Sequence, residues 1–125
     1  MFRFIEGLPS DVIAIEATGK VTHEDYRSVL IPKAEAMIVT GPVNMLYVIG
    51  TEFAGFELEA LWDDGAFGLR HWHDFRHIAV VTDHALVRAT VTMFQPFFHG
   101  EVRLFRLAAL PDAKEWVSGN SKTAS

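Results

Sequence analysis

Two short apolar runs constrain this chain more than any other feature: Asn44-Met45-Leu46-Tyr47-Val48-Ile49 and Ile78-Ala79-Val80-Val81. A strand with one face in water alternates apolar and polar residues, whereas an unbroken apolar run belongs to a strand covered on both faces. A segment of helix length separates the two runs, which is what a crossover between parallel strands requires. The pair is therefore read as the middle of a mostly parallel sheet with helices on both sides.

The remaining elements follow from local signals. Phe2 and Phe4 alternate with Arg3, and Gly7 and Pro9 close a short first strand. Residues 12–18 alternate again, with Val12, Ala14, Glu16 and Thr18 on one side and Ile13, Ile15 and Ala17 on the other, so a second strand should pair antiparallel with the first across a short loop. Thr22-His23-Glu24-Asp25 has the cap and acidic first turn of a helix start. That helix should run to about Val39, with Tyr26, Val29, Leu30, Lys33 and Met37 as its stripe and an interruption at Pro32, which has no amide to donate. Residues 57–72 have helical spacing, with Leu58, Leu61, Trp62, Gly65, Leu69 and Trp72 on one face. Thr82-Asp83 should cap a helix over residues 84–95 whose inward side is Leu86, Ala89, Thr90, Met93 and Phe97. A last strand at Glu101–Phe105 precedes a short helix opened by Pro111 and ended near Gly119.

The expected order is thus ββαβαβαβα, an α/β fold with a mostly parallel sheet of about five strands. At 125 residues, half of them apolar, the chain fits one domain over residues 1–119, followed by a polar, disordered tail at 120–125. It has no cysteine, which removes thiolate metal sites and cysteine nucleophiles and fits a reducing, cytoplasmic location. The formal charge of −5 is the wrong sign for nucleic-acid binding, and no apolar stretch approaches the ~20 residues of a transmembrane helix. The start of the chain lacks the pattern of a secretory signal.

With that layout in place, the segments Gly19-Lys20-Val21-Thr22 to Tyr26 with Leu30-Ile31-Pro32, Gly55-Phe56 to Trp62, Phe67-Gly68 to Asp74-Phe75, Ile78 to Asp83 and Gly100 to Phe105 together resemble the SpoIIAA-like family over nearly the whole chain. The resemblance implies a STAS-type arrangement of sheet and helices, a shape also related to the lipid-carrying CRAL-TRIO fold. Members are mostly bacterial and largely of undefined function, so the likeness carries architecture more than activity. Better-understood relatives in sporulation control are switched by phosphorylation of a serine at the start of the helix after the third strand. The corresponding stretch here, residues 50–57, holds no serine, and a phosphate on Thr51 would be repelled by Glu52 and Glu57.

Candidate chemistry is thin. In His71-Trp72-His73-Asp74-Phe75-Arg76-His77, histidines 73 and 77 would share a face only if the helix continued, so solvated residues at a helix end are the simpler reading and no metal is expected. Asp25 serves the helix start, and Asp63 and Asp64 point about 100° apart on a helix. No nucleophile elbow, zinc-protease, phosphate-loop or dinucleotide motif occurs, which argues against an enzyme and implies no cofactor.

The aromatics are the stronger signal. Phe53, Phe56, Trp62, Phe67 and Trp72 gather in one segment and Phe94, Phe97 and Phe98 in another. Beyond core packing, such residues build subunit interfaces and apolar ligand sites. Phe56, Trp62, Phe67 and Trp72 are taken as the candidate interface or apolar ligand surface. The function expected is a non-catalytic STAS-like binding or regulatory module that forms a homodimer. The alternative is a small carrier or sensor of a lipid or other hydrophobic ligand.

Overall fold

The computed structural model describes residues 1–60, 66–67, 70–71, 73–98 and 100–119. Five strands, β1 (Phe2–Phe4), β2 (Val12–Val21), β3 (Val43–Phe56), β4 (Phe75–Thr82) and β5 (Glu101–Phe105), form one sheet in the order β1-β2-β3-β4-β5. β1 runs antiparallel to β2 and every later neighbour is parallel, as the short first loop and the long crossovers require. The mixed α/β sheet expected from the two apolar runs is the one observed.

Alternation along β2 and β3 divides the core into two layers. Ile13, Ile15, Ala17, Met45, Tyr47 and Ile49 face one way, and Val12, Ala14, Leu46 and Val48 the other. Leu46 and Val81 are fully enclosed, which is why neither central run contains a polar residue at its middle. Burying each such large side chain contributes about 1.5–3 kcal/mol.

The first layer is covered by the long crossover after β2. It begins as α1 (His23–Asp25), passes through a π turn at Tyr26–Leu30 and continues as α2 (Ile31–Ile38). Thr22 caps it reciprocally: its hydroxyl accepts from the Asp25 amide at 3.2 Å while its own amide donates to Asp25 Oδ2 at 2.8 Å. The expected interruption at Pro32 takes the form of that π turn. The Ile31 amide reaches back to the Tyr26 carbonyl, so Pro32 falls in the first turn of α2, where its missing amide costs little. Tyr26, Leu30 and Ala34 are buried, whereas Lys33 is exposed. Beside them the Tyr26 and Tyr47 hydroxyls lie 3.2 Å apart, and the Phe2 ring meets both tyrosines edge-on.

β3 is longer than the sequence indicated. Residues 50–56 continue it as strand instead of opening a helix, and its register against β2 shifts twice, around Gly19. Gly19 at φ 59° and Gly55 at φ 120° accept the backbone that these bulges need. Helix follows only at residues 58–60, and helical geometry recurs at 66–67 and 70. Trp62, Asp63, Asp64, Gly65, Gly68, Leu69 and Trp72 lie outside the described residues, as does the stretch 120–125 read as a tail.

Two further helices complete the fold, α3 (Ala85–Phe94), extended by a 3-10 turn at Gln95–Phe97, and α4 (Leu110–Ser118). Val87 of α3 joins the layer covered by α1 and α2, as do Ala60 and Phe67 of the β3–β4 crossover. The opposite layer is covered by α4 through Ala113, Val117 and Trp116, together with Ile5 and Leu8. All three crossovers thus lie on one side of the sheet. The order of the described strands never reverses, so they form no switch-point crevice of the kind at which open α/β sheets bind ligands.

Candidate functional site

α3 has the opposite orientation to the one its sequence indicated. At 100° per residue Leu86, Thr90 and Met93 lie within about 60° of each other, with Ala89 and Phe94 beside them. This stripe faces water: Leu86 is 71 % exposed, Met93 65 %, Phe94 62 % and Phe97 70 %, and no residue of α3 is fully buried. The expected inward side, Leu86, Ala89, Thr90, Met93 and Phe97, is therefore the outward one.

The other side of α3 explains the orientation. Val87 packs on the core, and Arg88 Nη1 donates to the Thr82 carbonyl at 2.8 Å and to the Phe105 carbonyl at 3.1 Å, joining the ends of β4 and β5. Gln95 donates its side-chain amide to the Val102 carbonyl. At the helix start the Thr82 hydroxyl accepts from the His84 amide at 3.0 Å, while Asp83 accepts from Leu107 instead of capping α3. These bonds tie α3 to the sheet through its inward side.

Between His84 and Gly100 the sequence carries one formal charge, Arg88, and that guanidinium is turned inward. The outward face is accordingly both apolar and uncharged. At the helix start the His84 ring lies 5.8 Å from Phe53 of β3, which meets Phe56 at 5.0 Å.

Of the four residues proposed from sequence, the described residues include two. Phe67 is 7 % exposed, its ring 5.9 Å from Phe75 and 4.8 Å from His71, within the core of a single chain. Phe56 is half-buried against Phe53. Trp62 and Trp72 fall outside the described residues. The sequence signal that points to α3 instead is its composition, since a ten-residue helix without an acid and with one base has no side suited to water.

The histidine cluster diverges. His71 places Nδ1 2.9 Å from Asp74 Oδ2 and Nε2 3.4 Å from Glu35 Oε2, tying the crossover to α2. His77 lies on β4, 3.1 Å from Asn44 Oδ1, with its ring against Trp116 on the other layer. His73 is exposed. Among the described residues no three His, Asp or Glu side chains converge as metal ligands.

Asp25 is committed to the helix start. Burial alone would push its carboxyl up, but the Thr22 amide and hydroxyl and the Met1 ammonium, 3.0 Å away, outweigh burial and hold it below its ordinary value. Thr51 is exposed on strand β3. Depressions among the described residues include one of about 510 Å³ between Glu6, Leu8, Pro9 and Lys114 and one of about 250 Å³ between Asp11, Met37, Pro42 and Arg76. Both mix charged and apolar side chains at the protein's rim.

The architecture defines a one-sidedly wound α/β module with five strands, four of them parallel. The SpoIIAA-like family profile matches residues 12–118, and the chain belongs to that family. A crystal structure of an uncharacterized protein from the DUF3478 family with a SpoIIAA-like fold, from Shewanella loihica PV-4, is similar to it. The two share 28 % identity and a TM-score of 0.75, over 94 % of this chain and 92 % of the other. No curated protein matches the chain. Among the described residues no helix is long and apolar enough to cross a membrane.

Proposed function

We propose that this chain is a non-catalytic, STAS-like binding module that works by self-association in the cytoplasm. The observation that carries the reading is the outward apolar face of α3. With about 200 Å² for a full side chain of this size, Leu86, Met93, Phe94 and Phe97 leave roughly 500 Å² of apolar surface in water. That is at the upper end of the roughly 300–600 Å² patches of ordinary monomers, which often mark interaction sites. It is also most of the ~800 Å² that each partner contributes to a standard interface. An enzyme would instead need polar groups converging in a cleft, and the polar side chains described above are engaged in holding elements together.

The competing reading is a carrier of a lipid or other hydrophobic molecule, and it places different demands on the chain. It needs an enclosed apolar cavity, with α3 or the β3–β4 crossover as its cover. Native mass spectrometry of the purified protein separates the two by giving subunit number and any retained ligand together. A dimer without added mass supports the interaction module. A monomer carrying a hydrophobic ligand supports the carrier.

A further inference from the structure

We infer that α3 packs on α3 of a second copy, antiparallel and about a two-fold axis between Val91 and Thr92. The inference rests on the self-association reading above and adds to it the surface and its geometry.

The spacing of the outward residues carries the argument. Leu86, Thr90, Met93 and Phe97 are separated by four, three and four positions, a pattern that reads the same in both directions. An antiparallel copy therefore sets Leu86 against Phe97 of the second copy and Thr90 against Met93. The flanking pair behaves alike, since Ala89 meets Phe94. Each large side chain of the inner pairs is opposed by a small one, the complementarity that lets helices approach to about 8–10 Å. A two-fold contact must be self-complementary in this way.

Charge selects a second copy over other occupants. The outward face has no charge to be desolvated or paired, so two copies meet there without repulsion although each chain carries −5 overall. A helix that lies in a lipid surface adds Lys and Arg around its apolar face to meet anionic headgroups. Here the helix's one base, Arg88, is bound to the Thr82 and Phe105 carbonyls on the sheet side. A partner with a strongly basic or acidic surface finds no counter-charge on this face.

The absence of native cysteine makes the test direct. Sedimentation velocity of the unmodified protein at tens of micromolar should show a dimer. Met93→Asp should raise the dissociation constant about a hundredfold or more with unchanged circular dichroism, because the carboxylate is desolvated only in the dimer. Equimolar Thr90→Cys and Met93→Cys proteins, mixed and oxidised, should form a covalent dimer faster than either alone. Ala36→Cys, exposed on α2, should stay unlinked. If the protein is a dimer but Met93→Asp leaves it intact and the mixed cysteines do not link, the α3 pairing is wrong and self-association stands on another surface. If the unmodified protein is a monomer, both fall. Pelleting of that monomer with phosphatidylglycerol vesicles would assign the face to lipid instead.

Discussion

Replacing Leu86 by alanine separates the two orientations open to α3. If Leu86 pointed into the core, as the spacing of its neighbours suggests, truncation would remove a buried side chain and cost about 2–5 kcal/mol. In the structure Leu86 is 71 % exposed and has given up less than a third of its surface to folding. A fully buried leucine is worth about 1.5–3 kcal/mol, so the fraction at stake is about 0.6 kcal/mol. Leu30, enclosed between α2 and the sheet, is the matched reference, and Leu30→Ala should show the full 2–5 kcal/mol. The assay is urea unfolding followed by tryptophan fluorescence, at sub-micromolar protein so that association does not add to apparent stability. On the proposed pairing, the same variants at tens of micromolar should diverge further, because Leu86→Ala would then also weaken the association. A loss above about 2 kcal/mol for Leu86→Ala in the dilute protein would show that α3 faces inward, and the argument for an exposed docking face would fail with it.

Four further outcomes follow from individual contacts. Thr22→Ala should cost about 1 kcal/mol, measured by thermal unfolding, through loss of the reciprocal cap with Asp25. Because the Asp25 carboxyl is held below its unfolded value near 4, its stabilising contribution is present above that value and is lost as pH falls through the lowered folded one. Asp25→Asn should therefore reduce stability at neutral pH and flatten the acid limb of the pH–stability profile, and an unchanged acid limb would contradict the assignment. Gly100→Ala should cost about 1–3 kcal/mol or more, since an added Cβ would stand 2.4 Å from the Arg76 carbonyl oxygen and 2.8 Å from that of Phe75. Arg88→Gln should speed amide exchange in α3 while leaving β3 and β4 protected, because it removes the ties from the helix to Thr82 and Phe105.

Most of the fold was legible because each strand announces its environment through a period of two. The unbroken runs at Asn44 and Ile78 placed β3 and β4 at the centre, and the alternation at Val12 separated the layers that the structure separates. The end of β3 was less legible. Residues 50–56 hold two glycines and an acid, a composition that reads as a loop, yet the bulges against Gly19 keep the strand paired with β2 as far as Phe56. Phe67 was taken as a surface residue from its aromatic neighbours, whereas its packing on Phe75 depends on a contact across the crossover that spacing does not encode.

The orientation of α3 was not legible for a different reason. Periodicity identifies the sides of a helix without saying which is inward, and α3 is apolar on two of them: Leu86, Met93 and Phe97 on one, Val87 and Val91 on the other. What decides is where Arg88 and Gln95 find acceptors, and these are the carbonyls of Thr82, Phe105 and Val102 on the sheet side. The Arg88 bonds are charge-assisted and worth about 1.5–3 kcal/mol each and the neutral Gln95 bond about 0.5–1.5 kcal/mol, a few kilocalories in all. Leaving roughly 500 Å² of apolar stripe in water forgoes on the order of 10 kcal/mol, an upper bound on this area scale. The polar ties offset part of that loss, and Val87, packed on the core from the same side, adds to them. On the proposed pairing, a second stripe of the same palindromic spacing would recover it on both copies at once.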